Sequence, residues 1–441
     1  MNSAEEQEEQ EEQEDQVAKR KGFKRYKEEL RMSPIKAVIT GIGCVTPIGI
    51  GVQALWEGVQ KGTSAVKAID RFAPEGLRSR IAAQIDGFQA EDYMDKKRAH
   101  RMDRYSQLAV AGGRLALQDA GLSADSVEAE RAGIFMGSAL GGIAYAEEQC
   151  GQYFNGGFRS VSPTLGFSVF GGAASCNLAM EFGFQGTNET NAMSCASGAV
   201  AIGRAMQAIQ RGEADVMLAG GSEAPLAPLS FGAFDMLRAM STRNELPSGA
   251  SRPFDRNRDG FVMGEGSAVL VIEAEHHARA RGAVIYGEAA GFGLTNDAHH
   301  MSAPLPSGMQ AARALRQALA AAGLSPDDID YVNAHGSSTL LNDVTESKVI
   351  RDVFGSRPVA VSGTKGLYGH PLGASGAIEA AITLLSLRNE WLPPTTNLDE
   401  PDPAADIDLV ARHARETRAN AAVSNSYGFG GVNAVLAFRR A

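Results

Sequence analysis

Residues 187–203 read TNETNAMSCASGAVAIG, a run of small residues around one cysteine. The segment that follows, AVAIGRAMQAIQRG (199–212), has the spacing of an amphipathic helix. Ser194, Ala196, Ser197, Gly198 and Ala199 allow a tight turn and close approach of a substrate. Cys195 would then face the free N–H groups and positive dipole end of the helix. That setting lowers a thiol pKa and supplies a backbone N–H for an oxyanion.

A second stretch, LYGHPLGASGAIEAAITLLSL (367–387), repeats the layout with His370 ahead of its helix, which suggests an internal duplication. Outward from these two stretches, strands and helices alternate. KAVITGIGCVTPIG (36–49), RAGIFMGSAL (131–140), ADVMLAGGSEA (214–224), SAVLVIEAE (267–275) and IDYVNAHG (329–336) read as strands with their turns. GVQALWEGVQKG (51–62), GMQAARALRQALAAAGL (308–324) and GAIEAAITLLSLRN (376–389) read as helices. NAAVSNSYGFGGVNAVLAFRR (420–440) reads as a closing strand–turn–strand. This alternation predicts an α/β architecture with parallel or mixed sheets.

With 441 residues, the chain has room for two to three domains or one large duplicated unit. A formal net charge of −10 argues against a general nucleic-acid binder. Cys44, Cys150, Cys176 and Cys195 form neither a CxxC pair nor a Cys/His zinc spacing, and by default each is a small buried hydrophobe. No apolar run approaches the roughly 18 residues of a membrane span, and no secretory signal is visible. The plain expectation is a cytoplasmic enzyme. Residues 1–16, MNSAEEQEEQEEQEDQ, are acidic and low in complexity, which predicts disorder. Residues 17–31, VAKRKGFKRYKEELR, switch to basic and could form a short helix or a linker.

Two histidines join Cys195 as candidates. His335 in DYVNAHGSSTLLND (330–343) follows a strand, at the sheet edge where α/β sites gather. His370 in SGTKGLYGHPLGASGAIE (362–379) has small residues around it and Lys365 five positions ahead. Within so little charge, Lys365 is a candidate to orient a neighbour, with Glu346 its expected partner. NSYGFGGVNA (425–434) could aim backbone N–H groups at a ligand. Neither it nor TGIGCVTPIG (40–49) is a dinucleotide fingerprint.

Taken in order, Cys195, HGSSTLLND (335–343), TKGLYGHPLGASG (364–376) and SNSYGFGGVNAV (424–435) resemble the β-ketoacyl-ACP synthases of the chain-elongating, type II kind. VITGIGCVTPIG (38–49) and SRPFDRNRDGFVMGEGSAVLVIE (251–273) fit the same family, so the resemblance spans residues 35–440. It implies an α/β, thiolase-like five-layered fold with two duplicated halves, 34–285 carrying the nucleophile and 286–441 carrying both histidines, behind a tail over 1–33. It implies a catalytic Cys195–His335–His370 triad supported by Lys365 and Glu346, with Asp343 nearby. The N–H groups of Cys195 and Phe429 match the oxyanion hole. Phe429 matches a gate between acyl and malonyl sites, Leu140 a residue limiting the acyl pocket, and Tyr427 a further substrate-binding position. Lys97, Arg101 and Arg238 match basic residues that meet the acidic acyl carrier protein. Asn333, Glu379, Ser424 and Asn425 match a structural monovalent-cation site.

The implied reaction is decarboxylative Claisen condensation of malonyl-ACP with an acyl group held on Cys195, as in fatty-acid elongation. No redox cofactor or catalytic metal is expected; the substrates ride on the phosphopantetheine of the carrier. A homodimer is implied. The alternative is a ketosynthase subunit of a type II polyketide or other specialised acyl pathway, possibly in a heterodimer. A chain-length partner would lack Cys195, and the two histidines speak against a degradative thiolase. The chain departs from the family pattern at Met193, in HGSSTLLND where HGTxTPxGD is usual, in FSVFGGAASCNLAMEFGFQG (167–186), and at Tyr427, which replaces a phenylalanine. These departures leave the acyl-chain preference open.

Overall fold

The structure, a computed structural model, describes residues 35–441. The tail expected over 1–33 lies outside the described residues. Among the described residues eleven strands make the main sheet: the two-residue Gly49–Ile50 pairs only with the first strand, and the other ten form one line. Five come early: β1 (Ala37–Thr46), β2 (Ala132–Gly137), β3 (Asn188–Asn191), β4 (Val216–Glu223) and β5 (Gly266–Ala274). Five come late: β6 (Gly287–Asn296), β7 (Tyr331–Asn333), β8 (Ala360–Ser362), β9 (Ala421–Gly428) and β10 (Val432–Arg440). β1, β2, β4 and β5 are buried along their whole length, so they read as continuous apolar runs rather than alternating ones.

The early strands lie in the order β3-β2-β4-β5-β1 and the late ones in the order β8-β7-β9-β10-β6. In the early set β2 is parallel to β3 and β4, while β5 is antiparallel to β4 and β1. In the late set β7 is parallel to β8 and β9, while β10 is antiparallel to β9 and β6. Order and direction therefore repeat strand for strand. β1 and β6 join the two sets antiparallel, Ala37 to Ile39 against Ala289 to Gly287.

Parallel neighbours need crossovers, and helices supply them. α1 (Arg104–Asp119), α2 (Ala173–Phe182) and α3 (Ser197–Gln210) serve the first set. α4 (Met309–Ala322), α5 (Leu340–Phe354) and α6 (Ser375–Asn389) take the equivalent places in the second. α1 covers β1, β4 and β5 from one side, and α4 covers β6 and β10 from the other. α3 and α6 lie between, touching each other and strands of both sets. The layers run helix, sheet, helix, sheet, helix, which bears out the thiolase-like duplicated fold.

The central helices explain the small residues around Cys195. α6 is buried from Ser375 through Leu387, as a helix enclosed on all sides must be. A Cβ on Gly198 would lie 3.0 Å from the Cβ of Ala377, and a Cβ on Gly376 would lie 2.9 Å from that of Ala199. CASGA (195–199) thus crosses GASGA (373–377) at equivalent positions, glycine to alanine both ways. The crossing brings both helix N-termini, and the loops ahead of them, to one place. Among the described residues no helix is long and apolar enough to cross a membrane.

Candidate active site

Cys195 sits in a single 3-10 turn, Ser194–Ala196, at the start of α3. Ser194 adopts φ 52°, a left-handed conformation that costs free energy in a non-glycine residue and is kept where the surroundings enforce it. The turn delivers Cys195 into a cavity of about 340 Å³ that His335, His370, Phe429, Tyr427 and Arg238 also line. The two catalytic candidates from the late half and the one from the early half therefore share one space.

The thiol has 7% exposure. Burial pushes its pKa up, against the Ser194 hydroxyl, the Lys365 ammonium and the Phe429 N–H, which pull it down. The sequence led us to expect a net lowering, and this is corrected: burial outweighs the groups gathered at the helix end, and the resting group is a thiol. The Phe429 N–H reaches Cys195 from the β9–β10 hairpin, which reverses through Gly430 at φ 81° and Gly431 at φ 76°. The Phe429 ring stacks on Phe234 at 6.1 Å between centroids, both rings lining the cavity.

His335 follows β7, where the chain turns at Gly336 with φ 40°. Its backbone is fixed by Glu346 of α5. One carboxylate oxygen accepts from the N–H of His335 at 2.8 Å and from Asn425 Nδ2 at 3.0 Å. The other accepts from the N–H of Gly336 at 2.9 Å and from Asn342 Nδ2 at 3.4 Å. Glu346 is thus not the partner of Lys365, as the sequence had suggested: its four acceptor positions are taken by amides. The buried Lys365 ammonium pairs instead with Glu379 of α6 and donates to the carbonyl oxygen of His335 at 2.6 Å. Burial pushes the Glu379 carboxyl up to about 8, and the ammonium against it pulls the other way.

Lys365 Nζ also lies 3.4 Å from His335 Nδ1. An ammonium only donates, so Nδ1 is the acceptor and the imidazole proton resides on Nε2. His370 is held as an edge: its N–H donates to Val262 O at 2.7 Å and its carbonyl accepts from Gly264 at 3.1 Å. Its Nδ1 meets the Ser375 hydroxyl at 2.8 Å, at the first residue of α6. The two imidazoles stand 5.3 Å apart at 80°. Burial first, and then Lys365, hold both well below 6.5, so both are neutral near pH 7.

The four residues matched to a monovalent cation can be tested by their oxygens. Asn333 Oδ1, Glu379 Oε2, Ser424 Oγ and Asn425 Oδ1 are all buried without a protein partner. Asn333 stands opposite Ser424 in the β7–β9 register, and its Nδ2 donates to the Glu379 carbonyl at 3.2 Å. One carboxylate and three neutral oxygens suit a hard cation of low charge.

Leu140 packs against the apolar cluster that includes Cys195. Beneath it Glu223, wholly buried, accepts from the N–H groups of Ala139 at 2.6 Å, Leu140 at 3.1 Å and Gly373 at 3.0 Å. Asp343 faces away from the cavity, accepting from the Phe254 N–H at 2.8 Å. Lys97 and Arg101 are exposed, and Arg238, at φ 56°, stands exposed on the wall of the cavity. Sequence reasoning missed Ser375 and Glu223, and it missed Glu379 as the counter-ion of Lys365. For Glu379 a signal existed: it is the one acid in a helix of small and apolar residues with no other charge before Arg388, and an acid buried there calls for a cation.

Comparison with known proteins follows the same lines. The beta-ketoacyl synthase N-terminal domain matches residues 35–278, and the C-terminal domain of the same family matches residues 286–399. The 3-oxoacyl-[acyl-carrier-protein] synthase 2 of Synechocystis sp. is 42% identical over 407 residues, covering 92% of this chain and 98% of that protein. Its counterpart in Staphylococcus aureus is 41% identical over 408 residues, 92% of this chain and 98% of its own. A beta-ketoacyl synthase from Burkholderia phymatum superimposes with a TM-score of 0.86 at 38% identity, over 92% of this chain and 99% of that one. A type II polyketide ketosynthase, solved bound to a hexaketide and in complex with its acyl-carrier protein, is represented by a chain with a TM-score of 0.87 at 33% identity, over 92% and 100%.

Proposed function

The chain belongs to the β-ketoacyl synthase family and is a condensing acyltransferase, a 3-oxoacyl-ACP synthase, and from that premise we propose how its residues divide the reaction. The observation that carries the proposal is the convergence of Cys195, His335 and His370 on one cavity.

In the first half-reaction the Cys195 sulfur adds to the thioester carbonyl of an acyl carrier. The N–H groups of Cys195 and Phe429 receive the developing oxyanion. The C–S bond to the carrier breaks, the carrier thiol takes the proton that Cys195 gave up, and the acyl group stays on Cys195. A malonyl thioester then enters. His335 donates from Nε2 to its carbonyl oxygen, and His370 does the same when Ser375 donates to its Nδ1. Carbon dioxide departs, and its bonding pair becomes the enolate held by both imidazoles. The enolate carbon attacks the acyl carbonyl, the bond to Cys195 breaks, and the departing sulfur takes up a proton from solvent, the one proton that the condensation consumes. Neutral imidazoles suit this role because they donate without presenting a competing acid. Lys365 and Glu346 are positioning residues here: one fixes the His335 tautomer, the other its backbone. Asn333, Glu379, Ser424 and Asn425 would hold a monovalent cation that stiffens the strands behind His335, with no part in bond making.

The same reading makes an acyl carrier protein the partner, with Arg238 at the cavity and Lys97 and Arg101 as its basic contacts. A second copy of the chain is the other partner. Phe154 at 82% exposure and Phe158 at 84% are large apolar side chains left open to a partner, and β3 is the outermost strand of its set. Four unpaired cysteines accord with a cytoplasmic setting. Intact-mass analysis with a panel of acyl-ACPs, wild type beside Cys195→Ala, tests the proposal. A gain of one acyl group that the variant lacks is expected. No gain from any donor would refute the nucleophile.

A further inference from the structure

Tyr427 walls the same cavity, its ring 5.8 Å from that of His335. It is 9% exposed, and its hydroxyl oxygen is buried without a protein partner. A phenylalanine would fill the space without leaving an O–H unpaired, a condition native proteins rarely keep. The group is a donor: a tyrosine hydroxyl carries its proton at neutral pH.

Nearby acceptors are already engaged. Glu346 receives four amide donors. Asp297 receives Asn433 Nδ2 at 2.8 Å and the Leu305 N–H at 2.9 Å. No protein acceptor meets the Tyr427 hydroxyl, so a ligand entering the cavity is placed to supply one. In the reaction proposed above, the ligand whose thioester lies against His335 carries a free carboxylate.

We propose that the Tyr427 hydroxyl donates to the carboxylate of the malonyl thioester in the second half-reaction. This rests on the proposed function and adds a specificity residue to it. The hydrogen bond is strongest while the carboxylate is intact and weakens as neutral carbon dioxide forms. It favours the ground state over the transition state, so it tightens binding of the extender without speeding its decarboxylation.

Tyr427→Phe separates these effects. KM for malonyl-ACP should rise about tenfold or more, as loss of a hydrogen bond to a charged group requires. The turnover number should stay equal or increase. Acylation of Cys195 should keep its rate, and the melting temperature of the free protein should be equal or higher, because an unpaired hydroxyl has been removed. An unchanged KM would overturn the proposal. So would a lower melting temperature, which means the hydroxyl is already bonded in the free protein. Equal losses in both half-reactions would overturn it too, making the ring a structural element. Wild-type protein that never loads Cys195 would instead refute the condensing reaction, and this inference with it.

Discussion

Glu346→Gln is a change of one atom with a cost that can be worked from the structure. The native carboxylate receives two N–H donors on each oxygen, from His335 and Asn425 on one and from Gly336 and Asn342 on the other. A carboxamide keeps one oxygen and replaces the other with an NH₂ that also donates. Whichever way it turns, two buried donors lose their acceptor and face another donor. At about 1–3 kcal/mol for each orphaned group, the variant should lose about 2–6 kcal/mol of unfolding free energy. That is a large share of the roughly 5–15 kcal/mol available to a folded chain. One of the two orphaned donors is the backbone N–H of His335 or of Gly336, while Cys195 belongs to the other half of the fold. Urea unfolding should therefore show a lower midpoint. Malonyl decarboxylation should drop by about a hundredfold, since an ångström of misplacement costs that much. Acyl loading of Cys195 should persist within a few-fold. A variant as stable as wild type with normal decarboxylation would refute the reasoning, because it would mean the four donors find other acceptors. A variant that loses loading and decarboxylation together would show that Glu346 supports the whole site rather than one histidine.

Two further outcomes follow from the same structure. Both imidazoles titrate well below 6.5 in the folded protein, so the unfolded chain binds protons that the folded one refuses; stability should fall as pH drops below about 6.5, and malonyl decarboxylation should cross pH 6.5 without a titration step. A step there in the rate profile would contradict the burial described. Gly198→Ala should be destabilising by about 1–3 kcal/mol in thermal unfolding, because its Cβ would sit 3.0 Å from the Ala377 nitrogen and the Gly373 oxygen, backbone that gives little; no loss of stability would mean that the helix crossing has room for a methyl group.

The fold was legible where packing leaves a mark on composition. β1, β4 and β5 are buried throughout and show as unbroken apolar runs, and GFGG announces the turn between β9 and β10. The repeat was visible because two helices that cross at contact distance both need small residues at the crossing. Cys195 and His370 stood out for the same reason, whereas His335 showed as a histidine just past the end of a strand. Pairing was harder to read. Lys365 has two buried acids within reach in sequence, Glu346 and Glu379, and only the packed structure decides between them: amides occupy the first and leave the second free. The thiol misled for a different reason. A helix end beside a cysteine is visible in the chain, whereas the depth of burial that opposes it depends on loops from both halves. Tyr427 could be seen as an oddity in a motif, but not as a hydroxyl without a partner.

The strand-for-strand duplication has a consequence for how the enzyme is organised. Superposing CASGA on GASGA puts the reactive sulfur of one repeat where the other has glycine. The ancestral plan, a loop feeding an inner helix, is thus used twice with different cargo. In the reaction proposed above, one repeat would keep the acyl group and the other would supply the imidazoles that tame the incoming carbanion. On that proposal neither could turn over alone, because the electrophile and the nucleophile of carbon–carbon bond formation would be held by opposite repeats. Changes that tune what is stored can then accumulate on one side of the seam without disturbing how the extender is activated on the other.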